Sequence, residues 1–168
     1  RNIYLCKITF VNTAILNRTK MELHISDMIL TEMKKGRYII MIQKFYFEET
    51  DFPGAFLIQP FIAEDERGTF IKDFSSEVFA QHHIAHDLKE VFYTQSYKGV
   101  IRAIHFQRVQ EQAKLVRCVS GHIFDVIVDL RPDSDKFGKW QGFHLTGKNH
   151  TELLVPKHFG HGYLVLEN

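Results

Sequence analysis

The chain has 168 residues, of which 45% are hydrophobic and 13% aromatic, so it is the size of one domain and can bury a core. A net charge of +1 supplies no basic stripe for nucleic acid or a membrane surface, and no apolar run is long enough to cross a bilayer. The two cysteines, Cys6 and Cys118, lie far apart with no CxxC spacing, which argues against a disulfide framework or zinc ribbon and fits a reducing cytoplasm.

The first stretch, "RNIYLCKITFVNTAIL", is broken by Lys7, Asn12 and Thr13 and makes a poor signal-peptide core. Residues 1–40 show no clear period and carry the polar run "TEMKKGRY". A fresh start at Met41 reads naturally, so 1–40 is expected to be an extension, non-native or poorly ordered; an ordinary N-terminal arm is the alternative. The chain opens on Arg1 and stops at Asn168 straight after an apolar strand pattern, so both ends read as cut.

From Met41 the signals become regular. "MIQKFYF" alternates as a strand, and Pro53-Gly54 marks a turn before the next one. "EDERGTFIKDF" reads as a charged turn entering alternating apolar residues. "SSEVFAQHH" opens with a serine cap candidate and reads as a short helix. Strands follow at 90–97, 100–107, 114–119, 122–130, 139–146, 151–155 and 161–167, with breaks at Gly99, Gly121, "RPDSDKFG", "TGKN" and "PKHFG". Fifteen Phe and six Tyr favour strands, and many short strands with turn signals between them predict an all-β sandwich or barrel.

Period two assigns side chains to faces. In "GVIRAIHFQ" it groups Ile101, Ala103, His105 and Gln107; it then groups Lys114, Val116 and Cys118, and Asp125 and Asp129 with Ile123 and Ile127. If these faces line a barrel interior, the cavity holds a His, a Lys and one or two carboxylates. A neutral imidazole with a nearby carboxylate suits a general base, and an ammonium suits an oxyanion. Arg102 is the difficulty: strict alternation sends it to the opposite face, and it needs a bulge or a strand end to reach the cavity. The plain alternative is a hydrogen-bonded core His105, with Lys114 and Arg117 as edge-strand charges and Asp129-Leu-Arg131-Pro as a strand end.

A cupin-type metal site would need a His-x-His pair, a Glu and a later His. The run here is His105-Phe106-Gln107, Glu111 lies in a polar turn, and His158 and His161 alone leave the ligand set incomplete. No metal is expected. His82, His83, His86, His144 and His150 fall on helix or loop patterns and are expected to be solvated.

Five segments, "EDERGTF", "GVIRAIHFQ", "KLVRCVSGHIFDVIVDLR", "FGKWQGFHLTGKN" and "VPKHFGHGYLVL", run in register across 41–168. They resemble dTDP-4-dehydrorhamnose 3,5-epimerases. The resemblance implies a cupin-type jelly-roll β-barrel, with a short helix near its N-terminal side, that is homodimeric and needs no cofactor. It implies epimerisation at carbons 3 and 5 of dTDP-4-dehydro-6-deoxy-D-glucose, on the route to dTDP-rhamnose and surface polysaccharide such as lipopolysaccharide. By resemblance, His105 is the base, Lys114 the cation near the keto oxygen, Arg102 and Arg67 diphosphate ligands, and His161 a further pocket ligand. Arg67 would often act across a dimer interface.

Four departures qualify this expectation. The family's tyrosine acid and the carboxylate that pairs with its base would lie beyond Asn168, so the chain as given is expected to be weak or inactive. A nucleotide-contacting Glu falls at Lys72, with Asp73 beside it, and "LKEVFYTQSYKG" replaces a Gln-x-Asn-x-Ser pattern. The sugar or nucleotide can therefore differ. A single-centre 3-epimerase, a ketoisomerase, or a non-catalytic sugar-nucleotide-binding cupin are the alternatives.

Overall fold

A computed structural model describes the backbone of residues 4–15, 28–33, 37–42 and 44–167, and side chains over 44–84 and 88–167. Among the described residues, fourteen strands and one helix follow in order: β1 Tyr4–Ile15, β2 Met28–Met33, β3 Arg37–Ile42, β4 Tyr46–Glu49, β5 Phe56–Gln59, β6 Phe61–Asp65, β7 Gly68–Lys72, α1 Ser76–Gln81, β8 Ile84–Ser96, β9 Ile101–His105, β10 Ala113–Cys118, β11 His122–Asp129, β12 Trp140–Thr146, β13 Glu152–Val155 and β14 Phe159–Val165. One sheet runs β4-β5-β13-β10-β1-β8 and a second runs β12-β11-β14-β9, with β2-β3 and β6-β7 as separate hairpins. β1 lies between β10 and β8, antiparallel to both. The all-β expectation holds. Among the described residues no helix is long and apolar enough to cross a membrane.

Alternation explains how the two main sheets meet. On β11, Ile123, Asp125, Ile127 and Asp129 are buried while the residues between them are half-buried. The grouping read from the sequence is therefore the inward face. Ile123 and Ile127 pack in one core with Val116 and Cys118 of β10, Leu153 and Val155 of β13, and Phe143 and Leu145 of β12. A second core holds the opposite face of the larger sheet: Ala113, Leu115 and Leu154 pack with Ile58, Ile84 and the α1 residues Val78 and Phe79. β10 is thus covered on both faces, and all six of its residues are buried. Each fully buried Ile, Leu or Phe side chain contributes roughly 1.5–3 kcal/mol against its exposed state.

Two readings change in detail. Ser75 precedes α1 in an extended conformation and makes no side-chain capping bond, so α1 is held by burial of Val78 and Phe79. The strand read from residue 90 begins at Ile84, directly after the helix.

Candidate active site

The site is built where β9 and β14 pair. His161 stands opposite His105, and Tyr163 opposite Arg102, so between these pairs one residue on β14, Gly162, faces two on β9, Ala103 and Ile104. That count is a β-bulge. It resolves the puzzle of Arg102: the extra residue turns Arg102 to the face that His105 occupies, and strict alternation fails at this point. Gly162 makes the bulge possible. A Cβ there would run into the Ala103 side chain and sit 2.9 Å from the Arg102 carbonyl, so any side chain would collide with the bulged strand.

The result is one cavity of about 220 Å³ lined by Phe92, Thr94, Arg102, His105, Lys114, His161 and Tyr163. Four of the five residues singled out by the sequence meet here: Arg102, His105, Lys114 and His161. The fifth, Arg67, does not. It sits at the β6–β7 turn with its side chain 85% exposed, forked onto Asp65. That pairing holds the Asp65 carboxyl down at about 2.

His161 is buried, and its Nε2 lies 3.0 and 2.9 Å from the two oxygens of Asp125, which is itself fully buried. The carboxylate accepts the Nε2 proton and fixes the ring. Of the two carboxylates on the inward face of β11, Asp125 serves His161, while Asp129 accepts bonds from Arg131 and Ser134. Lys114 is buried on β10, an interior strand, so it is not an edge-strand charge. Burial lowers its pKa, and the attraction of Asp125 works against that shift. A desolvated cation there acts more strongly on a nearby oxygen than it would in water. Arg117, three residues on, is also buried and pairs with Asp73.

Arg102 Nε donates to Ser96 Oγ at 2.9 Å, and the guanidinium has no carboxylate partner among the described residues. A cation that lines a cavity with no carboxylate partner among the described residues is suited to an anionic ligand. The other histidines differ from expectation in part. His82 stacks on Phe47 with ring centroids 3.9 Å apart, and His144 lies on β12, bonded to His122 at 2.8 Å. His158 pairs with Glu111 at 2.8 Å in a neighbouring cavity of about 390 Å³. No group of three metal-ligating side chains occurs among the described residues.

Sequence reading missed Thr94, Tyr163 and Phe92 as lining residues. The signal was present: period two along "FYTQS" points Phe92, Thr94 and Ser96 one way, and Tyr163 follows His161 by two.

Comparisons with known proteins identify the chain's relatives. Residues 49–168 match the family model dTDP-4-dehydrorhamnose 3,5-epimerase. The dTDP-4-dehydrorhamnose 3,5-epimerase of Methanothermobacter thermautotrophicus is 40% identical over 125 residues, covering 74% of this chain and 68% of that protein. The crystal structure of dTDP-6-deoxy-D-glucose-3,5-epimerase from Legionella pneumophila, in complex with dTDP-4-keto-L-rhamnose, superposes with a TM-score of 0.71 at 36% identity, covering 74% of this chain and 66% of that one. The 3'-monoepimerase ChmJ from Streptomyces bikiniensis, in complex with dTDP-quinovose, gives 0.66 at 31% identity, over 71% and 61%. The chain spans about two-thirds of the length of the curated relatives it matches. The two-sheet architecture is the cupin-like jelly roll of these structures. The chain therefore belongs to the dTDP-4-dehydrorhamnose 3,5-epimerase family of isomerases.

Proposed function

We propose that the cavity epimerises carbons 3 and 5 of dTDP-4-dehydro-6-deoxy-D-glucose, giving dTDP-4-dehydro-L-rhamnose. The observation that carries this is the gathering of His105, Lys114, His161 and Arg102 on one cavity. Neutral His105 takes the proton from the carbon beside the 4-keto group. The C–H electrons move into a carbon–carbon double bond, and the keto oxygen becomes an enolate. Lys114 stabilises that oxygen as charge develops. A proton from solvent returns to the opposite face and inverts the centre, His105 gives up its proton to solvent, and the sequence repeats at the second carbon. The ketone is the electron sink, so the chemistry asks for no redox cofactor.

Arg102 binds the diphosphate, and His161, fixed by Asp125, is a further pocket ligand. Arg67, exposed and away from this cavity, binds diphosphate in the neighbouring site of a homodimer. The epimerase domain is 41–168, which the match over 49–168 supports. A nucleotide-sugar substrate fits a cytoplasmic enzyme supplying surface polysaccharide, lipopolysaccharide among them. A second reading, epimerisation at carbon 3 alone, is favoured by the likeness to a 3'-monoepimerase and by Phe92 on the strand that departs from the family pattern.

The test is His105→Ala. Solvent exchange of the sugar protons should fall by roughly three orders of magnitude while dTDP still binds. Exchange that survives would show that His105 is not the base.

A further inference from the structure

Two bridges cross from β8 to the paired strands β9 and β14. Ser96 Oγ accepts from Arg102 Nε at 2.9 Å, and Thr94 Oγ1 lies 2.7 Å from the Tyr163 hydroxyl. Thr94 and Ser96 are two residues apart on β8, and Arg102 and Tyr163 stand opposite each other across the β9–β14 pair. Side chains opposed in this way lie roughly 5 Å apart at Cβ. The two bridges are therefore neighbours, and Thr94, Arg102 and Tyr163 line the same cavity as His105 and His161.

The hydrogen count leaves something over. Two hydroxyls carry two donor protons, and their mutual bond uses one. The remaining proton belongs to a pair whose tyrosine ring is packed into the core, with Tyr163 4% exposed, while both residues line the cavity. A phenylalanine would fill the same core volume. The hydroxyl is placed beside an arginine that has no anionic partner among the described residues.

We infer that the Thr94–Tyr163 hydroxyl pair is a phosphate ligand: it donates its spare proton to an oxygen of the same phosphate that Arg102 neutralises, on the sugar side of the diphosphate. This deepens the epimerase reading and rests on it. Arg102 alone is a charge on a long, flexible stem. A second donor on a rigid ring fixes the phosphate in one place, and that placement sets where the sugar's carbons fall relative to His105.

The experiment is calorimetric titration of dTDP into the protein expressed from its complete reading frame and into its Tyr163→Phe and Thr94→Val variants, with the KM of proton exchange measured for each. Loss of one hydrogen bond to a charged oxygen should weaken dTDP about 10- to 100-fold in Tyr163→Phe. Thr94→Val should weaken it by less, and KM should rise in parallel in both. Thr94→Val carries the test if Tyr163→Phe does not fold. Unchanged dTDP affinity with a raised KM would place the contact on the sugar and overturn the inference. Unchanged dTDP affinity and KM would make the pair structural and overturn it equally. If the parent chain binds no dTDP, the epimerase reading falls and this inference with it. Parent binding with unaffected variants sinks the inference alone.

Discussion

Asp125 and Asp129 sit four residues apart on β11, face the same way and are both fully buried. Asp125 meets across a pair of strands a histidine, His161, that lines a cavity together with Lys114, Arg102 and His105. Asp129 meets the chain that follows it: the backbone N–H and guanidinium of Arg131, and the Ser134 hydroxyl. Arg131 in turn packs over the Phe159 ring, 4.8 Å from its centroid. The first carboxylate orients a ring that lines the cavity; the second closes the 130–138 turn. Burial of an acid says that it must be satisfied, and its partner says what it is for.

Asp125→Asn should separate the two most sharply. It removes the charge that holds His161, and exchange should fall roughly 10- to 100-fold, the worth of a charge-assisted bond. The thermal midpoint should move little, because the amide still bonds the ring. Equal losses of exchange in Asp125→Asn and Asp129→Asn would break the comparison. Gly162→Ala tests the bulge beneath the first site: overpacking against Ala103 should cost about 1–3 kcal/mol and weaken dTDP binding by moving Arg102. Asp129→Asn should leave exchange intact and lower stability by about 1–2 kcal/mol. Burial alone would raise the Asp129 pKa, but the Arg131 and Ser134 bonds outweigh it and the net shift is down. A carboxyl held below its unfolded value stabilises the fold above the ordinary carboxylate range, and that stability is lost as pH falls through the folded value. Denaturant midpoints from pH 7 to pH 2 should thus fall less steeply in Asp129→Asn than in the parent.

Much of the fold and most of the site were legible in the residues. Strands from β9 onward announce themselves by alternation between Gly-marked turns, and β11 read correctly to the single face. Period two fails where the backbone inserts a residue. Nothing local in "GVIRAIHFQ" signals the bulge; its cause is Gly162, almost sixty residues away, which lets the bulged strand approach. Partner choice was equally hidden. Asp125 and Asp129 are alike in sequence, and the register of β14 sets His161 opposite Ile127, midway between them; only the packed side chains show that its ring bonds Asp125. Arg117 read as an edge charge because strand order cannot be seen in a sequence, and β10 proves to be an interior strand paired on both sides.

The most direct test of the central claim is proton exchange resolved by position. The protein expressed from its complete reading frame is incubated with dTDP-4-keto-6-deoxyglucose in heavy water, and the sugar protons are followed by NMR. The expected result is deuterium at carbons 3 and 5, at rates that His105→Ala and Lys114→Ala both abolish. Entry at carbon 3 alone would select the single-centre reading. No entry at either carbon, with dTDP still bound, would contradict the catalytic assignment and leave the cavity a binding site for a nucleotide sugar.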